Sequence, residues 1–538
     1  MKTNFKYLMI ITLTCLSIFP IYAQTWQWAT HAGGINYESG GPVCTDMQGN
    51  IYVFGNYFFP YAVFGQDTLV PYGLTDLYVS KLDRDGKFIW TKRAGSTGGD
   101  GSNDILYEQY SNTLITAGTI GGTNGKFINC NLGNGEKIFL AKADLEGNCV
   151  WAIGTGLNGN ANSLSISDDN EGSVYMSGNL SFPAYFSNVK LDAGGFIVKF
   201  RSSDGSIIWA KQVIDENGYL GQIKYSGNRL YLGGLSVSKS LTLDKITVVC
   251  NEQDPFISKF DTSGNILWVK TMGGPYADMG GTIDLDRAGN IYTTGDFKDT
   301  AYFDNIVLTN GSKRDWYIAK YDNNGTALWA RQGHITGNEV YFGFAASTFT
   351  GDIYAIGNFS GNAVFGDHSI SAGSPNDMFL ARYNELGQCL GITNVPNAYH
   401  SSVTFDNSEN AILTGCFSGT INFGAQSIKS YGSNDIFIAK HDAITSVVPK
   451  TMANTQPQLT IYANPTTGIS TVTIPEEFLH EKQLTLQVFD FQGKLIEKTV
   501  LSLADGKIRL NLEAHAKGMY QVVVDNGRRS YVGKVVFE

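Results

Sequence analysis

The segment DLYVSKLDRDGKFIW at 76–90 recurs along the chain, and that recurrence limits the fold more than any other feature. It returns as KIFLAKADLEGNCVW (137–151), GGFIVKFRSSDGSIIW (194–209), DPFISKFDTSGNILW (254–268), DWYIAKYDNNGTALW (315–329), DMFLARYNELGQCLG (377–391) and DIFIAKHD (435–442). A basic residue keeps the register at Lys81, Lys142, Lys199, Lys259, Lys320, Arg382 and Lys440, every 57 to 62 residues. A second motif precedes each copy: GNIYVFGN (49–56), NTLITAGT (112–119), GSVYMSGN (172–179), NRLYLGGL (228–235), GNIYTTGD (289–296), GDIYAIGN (351–358) and ENAILTGC (409–416). Two independent markers sharing one period make this repeat the unit of folding.

Each unit parses into four short strands punctuated by NG, GG and DG turn signals. In the copy from 280 these are GGTIDLD, NIYTTG, DWYIAKYD and TALWARQ, with an excursion before the third strand that carries an apolar tip such as YFD (302–304). First strands are rich in small residues, as in SGGPVCTD (39–46), which suits crowding about a central axis. The Trp-bearing strand is then outermost, and Trp90, Trp151, Trp209, Trp268 and Trp329 are expected to pack on the adjoining sheet. The expected fold is all-β, a seven-bladed β-propeller over residues 24–442. The last unit ends at DIFIAKHD without a fourth strand, and TWQWA near the N-terminus has the matching pattern around Trp28. An N-terminal outer strand closing the last blade would remove an unpaired sheet edge.

These motifs, D-[apolar]-[FY]-[apolar]-[AS]-K-x-D-x-x-G-x-x-x-W with upstream G-N-I-Y-x-x-G, resemble the repeat of bacterial SBBP-type β-propeller proteins. The resemblance implies architecture, since that family carries no single activity. Departures are Gly391 for Trp, Lys137 and Gly194 for the leading Asp, and an inserted Ser203.

Residues 1–23 have a basic start, an apolar run and Ala23 before Gln24, the order of a cleaved secretory signal. That run is too short for a membrane anchor, and no other stretch is apolar enough to span a bilayer. Thr14 before Cys15 does not fit a lipoprotein signal, so the mature chain is expected to be soluble, without an integral membrane segment, and monomeric. A net charge of -10 without basic blocks argues against nucleic acid as partner. Cys44, Cys130, Cys149, Cys250, Cys389 and Cys416 are scattered with no CxxC pair; an oxidising destination permits a disulfide, and spacing leaves the pairing open.

After Asp442 the repeat stops. Residues 443–458 read as a polar linker, and 459–538 give about seven short strands, an immunoglobulin-like sandwich in outline. This tail resembles the type A C-terminal sorting domain of the type IX secretion system. The matching residues include Asn464, Pro465 and Gly468, then Gly493 and Lys494, then Gly518 and Tyr520, then Lys534, with Ala463 a departure where Pro is usual. The resemblance implies type IX machinery as partner and a secreted or outer-surface location.

Catalytic constellations such as HExxH and GxSxG do not occur in the sequence. The turns LDRDG (82–86) and DLDRAGN (284–290) have a faint likeness to calcium loops but lack the distal bidentate Glu. No cofactor is expected, with calcium the one candidate. Repeat geometry supplies a candidate ligand site instead. Ten residues past the outer-strand Trp stand Glu38, Asp278 and Glu339, with Asp104 placed as a further member after an insertion. The loops bearing them run from outer to inner strands and gather at one channel mouth, where Tyr37, Tyr276 and Tyr341 would add stacking surfaces. Three functions are open: a non-enzymatic binding or scaffold protein for glycan or protein, an extracellular polysaccharide-active enzyme using those carboxylates, or a purely structural surface component with the propeller as spacer.

Overall fold

In the computed structural model every named element is a β-strand. It describes residues 26–538 apart from 136, 156–160, 338–341, 347–350, 375–376, 443–458, 475–477, 479–483, 490–494, 502–506, 514, 516 and 526–529. The leader and the linker therefore lie outside the described residues. The chain divides into two compact units, Met1–Thr445 and Ser446–Glu538.

The first holds a propeller-like array of antiparallel four-strand repeats. Unit two shows the order from inside outward: Gly101–Glu108, Thr113–Ile120, Lys137–Ala143 and Cys149–Thr155. Inner strands lie side by side from unit to unit, and Ala398–Phe405 of the seventh lies beside Val43–Thr45 of the first. The seventh unit takes its outer strand from the start of the chain: Trp26–Gly34 pairs antiparallel with Asp435–His441, with Trp28 opposite Lys440 and Ala32 opposite Ile436.

The excursions are hairpins with a purpose the sequence did not reveal. Ala62–Phe64 of unit one pairs with Trp26–Gly34 of unit seven, and Gly125–Phe127 of unit two with Phe88–Gly95 of unit one. Asn362–Phe365 of unit six pairs in the same way with Ala327–Ile335 of unit five. These three hairpins thus cover part of their predecessors' exposed edges, while those of units three, four and seven form separate two-stranded sheets; tips such as Phe64, Phe127, Phe303, Phe365 and Phe423 are buried. In unit two a disulfide, Cys130–Cys149, ties this hairpin to the outer strand.

The recurring Trp has a specific seat. Each indole rests on the glycine of the turn between the third and fourth strands of the next unit: Trp28 on Gly86, Trp90 on Gly147, Trp151 on Gly205, Trp209 on Gly264, Trp268 on Gly325 and Trp329 on Gly387. A Cβ on any of these glycines would lie 2.5–3.2 Å from the ring, and all six have positive φ. Two demands, a left-handed turn and room for an indole, converge on one residue type. The indole N–H also donates to a turn carbonyl, from Trp28 to Arg84 (3.1 Å), Trp90 to Leu145 (3.2 Å), Trp151 to Ser202 (3.1 Å) and Trp329 to Glu385 (2.9 Å). Gly391 now has an explanation. The unit after it has no third-to-fourth turn, because its fourth strand comes from the N-terminus, so a Trp there would have no glycine to rest on.

The GN at the end of the second motif forms another inter-unit clamp. Asn179 Nδ2 donates to Leu220 O (2.7 Å) while its Oδ1 accepts from Leu220 N (2.7 Å). Asn56 spans Asp100 O and Ser102 N, and Asn358 spans Ala398 O and His400 N, in the same way. Asn179 is buried, so Asn179→Ala leaves two backbone groups unpaired. We expect it to destabilise the protein by about 2 kcal/mol in a denaturant titration.

The C-terminal unit has two antiparallel sheets, one of Thr460–Tyr462, Ile469–Thr473 and Lys507–Asn511, the other of Leu484–Phe489, Leu495–Leu501, Gly518–Asp525 and Ser530–Phe537. Val472, Leu486, Leu510, Val522 and Val535 fill one core between them.

Candidate functional site

The loops from outer to inner strands place the sequence-derived acids unequally. Glu38 is wholly buried; its Oε2 accepts from Gly34 N at 2.8 Å. Asp278 is wholly buried too, accepting from Gly274 N (2.6 Å) and Lys298 N (2.9 Å). Burial pushes both carboxyls up to about 7; Asp435 raises Glu38 further and Asp254 raises Asp278, while the backbone amides oppose. These acids fasten their own loops rather than face solvent.

Asp104 does not belong to that set. Ten residues past Trp90 is Asp100, with no insertion to allow for. Asp100 is the structural counterpart, accepting from Ser96 N (2.6 Å), Ser96 Oγ (2.7 Å) and Gly121 N (3.1 Å). Asp104 sits instead within the inner strand Gly101–Glu108 and lines the axial cavity. Its Oδ2 accepts from Ser165 Oγ (3.0 Å) and Ile166 N (2.9 Å). Burial raises its pKa, and the Ile166 amide and Lys224 offset part of that rise. Glu339 and Tyr341 lie outside the described residues.

Tyr37 and Tyr276 are 42% and 44% exposed, so each ring keeps a face in water. Tyr37 packs edge-on to Phe58 at 5.8 Å, and Lys298 Nζ lies 5.0 Å over the Tyr276 ring. Burial, with Cys416 beside the hydroxyl, lifts the Tyr37 phenol to about 12. Sequence reasoning missed Tyr219. The ten-residue offset taken from Trp209 lands on it, and it is 54% exposed at the cavity wall. The signal is in the sequence, since the same offset that lands on an acid in other units lands on this tyrosine.

Along the axis runs a cavity of about 680 Å³ bounded by the starts of the inner strands. Its wall carries hydroxyl and amide groups from Ser39, Asn103, Ser163, Gln222, Thr282 and Ser402, with Asp104 and Tyr219. A second cavity of about 410 Å³ follows, where Lys224 lies 3.5 Å from Asp284 and is held above its usual pKa by Asp284 and Asp104. The Asp-rich turns are occupied by their own backbone: Asp83 accepts from Asp85 N and Lys87 N, Asp286 from Ala288 N and Asn290 N. Among the described residues no group of three or more His, Cys, Asp or Glu is arranged to hold a metal. Among them, too, no helix is long and apolar enough to cross a membrane.

In the tail, Asn464 clasps the last strand, Nδ2 donating to Lys534 O (2.6 Å) and Oδ1 accepting from Val536 N (2.9 Å). Gly468 and Gly518 have φ of 143° and 155°, Tyr520 is buried and Lys534 exposed. Gly493 and Lys494 lie outside the described residues. Pro465 forms a cis bond with Asn464.

Comparison with known proteins gives the tail a clear match and the array distant ones. The chain is similar to an uncharacterised WD repeat-containing protein of Acanthamoeba polyphaga mimivirus, 21% identical over 78% of this chain and 39% of that one. The chain therefore spans about two fifths of the length of this curated relative. Among solved structures it is similar to BamB from Moraxella catarrhalis (12% identity, 77% of this chain, 97% of that one, TM-score 0.33). Another is a DUF4221 member from Bacteroides vulgatus (9%, 78% and 98%, 0.32). Similarity at this level carries nothing about activity. Residues 460–538 match the secretion system C-terminal sorting domain. That domain engages the type IX secretion machinery, and the protein is exported by it to the cell surface or the extracellular space.

Proposed function

We propose that the exported chain is a seven-bladed propeller closed by its own N-terminal strand, and that its outer-to-inner loop face binds carbohydrate. On this reading residues 1–23 are a cleaved leader, 24–442 the propeller, 443–458 a linker and 459–538 the sorting domain. The pairing of Trp26–Gly34 with Asp435–His441 and the adjacency of the first and seventh inner strands support closure.

One observation carries the ligand class: an axial cavity walled by hydroxyls and amides, with the half-exposed Tyr219 at its wall. Sugars offer many hydroxyls and an apolar ring face, and that combination of amide partners and aromatic surface answers both. Tyr37 and Tyr276, on equivalent loops, would extend the stacking surface. Burial of Glu38 and Asp278 supports binding over hydrolysis, since a catalytic pair must reach the scissile bond. The test is a glycan array probed with the full chain, followed by titration of the best ligand against Tyr219→Ala and Tyr276→Ala. Each substitution should weaken binding about tenfold, the loss of one aromatic contact. Silence across the array, or binding indifferent to both substitutions, overturns the reading.

A further inference from the structure

The inner strands carry one charged pair that the repeat does not require. Lys224 lies opposite Tyr231 and Asp284 opposite Tyr292, each the tyrosine of the second motif. The two therefore stand at one level on consecutive inner strands, across the junction between units four and five. At the same register four other units place Cys44, Leu106, Ser167 and Thr404, opposite Tyr52, Ile115, Tyr175 and Ile412. Uncharged side chains satisfy the fold there, so the charges of Lys224 and Asp284 answer another demand.

The pair is also loose. Lys224 Nζ and Asp284 Oδ1 are 3.5 Å apart, with side chains 35% and 18% exposed. The ion pairs at the basic position of the repeat are tighter and nearly buried, Lys142 to Glu108 at 2.7 Å and Lys440 to Asp406 at 2.6 Å. Lys224 has no other hydrogen-bond or ion-pair partner among the described residues, so N–H groups remain for a ligand. Asp284 Oδ1 also accepts from Leu285 N (2.9 Å), and a carboxylate, with about four acceptor positions, has capacity for a further donor.

Both side chains line the second axial cavity. That cavity shares Pro42, Asp104, Gln222 and Ser402 with the first, whose wall holds Tyr219, so the two are continuous along the axis. Among the described residues, Lys224 is the one cation lining either. Asp104 is already engaged, Oδ1 accepting from Ile105 N (2.9 Å) and Oδ2 from Ser165 Oγ and Ile166 N. A donor and an acceptor side by side match two neighbouring hydroxyls of a sugar: one oxygen accepts from Lys224 and the other hydroxyl donates to Asp284. A ligand carboxylate at that place would meet Asp284 and Asp104 as like charges, with one ammonium between three acids. We infer that Lys224 and Asp284 select the carbohydrate: a neutral glycan laid along the axis, one unit against Tyr219 and the next with its vicinal diol between the two charges. The inference rests on the carbohydrate reading and adds the charge class of the ligand and its points of contact.

The experiment is calorimetric titration of the full chain with cellotetraose, mannotetraose and galactotetraose, and with tetragalacturonate as the acidic probe. Lys224→Met and Asp284→Asn are compared with the unsubstituted chain and with Tyr219→Ala, and the Tm of each is recorded. At least one neutral probe should bind, about tenfold or more tighter than tetragalacturonate. Lys224→Met and Asp284→Asn should each weaken it about tenfold, the loss of one charged hydrogen bond. A neutral probe that depends on Tyr219 but is indifferent to both charge variants overturns this inference and leaves the carbohydrate reading standing. So does a fall in Tm with affinity unchanged, which would make the pair a strut between units. Tetragalacturonate binding as tightly as the best neutral probe also overturns it, and that comparison needs no variant to fold. Silence from all four probes overturns it as well, while the glycan array decides the wider reading.

Discussion

Deletion of residues 25–30 is expected to lower the melting temperature of the repeat array more than any single substitution. The strand Trp26–Gly34 supplies the only pairing partner among the described residues for the outer edge of Asp435–His441. It also receives the hairpin Ala62–Phe64 and carries Trp28 to its seat on Gly86. Its removal would expose Ile436 and Ile438, now buried, along with a row of unpaired N–H and C=O groups. Burial of two indoles and the edge together is worth on the order of 5 kcal/mol or more, comparable to the net stability of a domain. Circular dichroism melting and limited proteolysis would read the effect. A variant that melts with the unsubstituted chain would show that this strand pairing contributes no stability.

The second large effect lies at the Trp–Gly seats. Trp329 is 8% exposed, so Trp329→Ala removes a nearly buried indole and its bond to Glu385 O. A loss of about 3–5 kcal/mol is expected from the cavity alone. Gly387→Val attacks the same seat from the other side: φ is +74°, and the new Cβ would lie 2.8 Å from the Trp329 ring. Because each substitution destroys one shared contact, the double variant should cost much less than the sum of the two. Gly391→Trp is the counterpart test and should bring no gain in the denaturation midpoint. Additive single effects, or a stabilising Trp at 391, would remove the indole–glycine contact as the explanation of the repeat.

Much of this was legible in the sequence, for local reasons. Strands were readable from short apolar runs bounded by Asp-x-x-Gly turns, and their order from small residues on one strand and Trp on another. The assignment of TWQWA to the unit ending DIFIAKHD needed only a count of Trp-bearing strands, and the pairing of Trp28 with Lys440 agrees with it. The candidate site was legible in part. An offset of ten from each Trp locates equivalent loop positions, Asp100 and Tyr219 among them, whereas Asp104 lies further on, within the inner strand. The inter-unit work of Asn56, Asn179 and Asn358 was not legible at all, because each reaches backbone groups some forty residues away.

By itself, then, the sequence determined the repeat, its strands and turns, and the sorting tail, since period, turn chemistry and motif spacing are written in neighbouring residues. Tertiary structure alone decided which repeated acids face water. Glu38 and Asp278 stand in loops that any sequence reading places at the surface, yet both are wholly buried. The cover comes from the next unit: Gly34 meets Tyr61 O, and Gly274 meets Thr300 O, within the following excursion hairpins. Solvation of a side chain depends on what packs over it, and here the covering segment lies twenty or more residues downstream, beyond the reach of any local pattern.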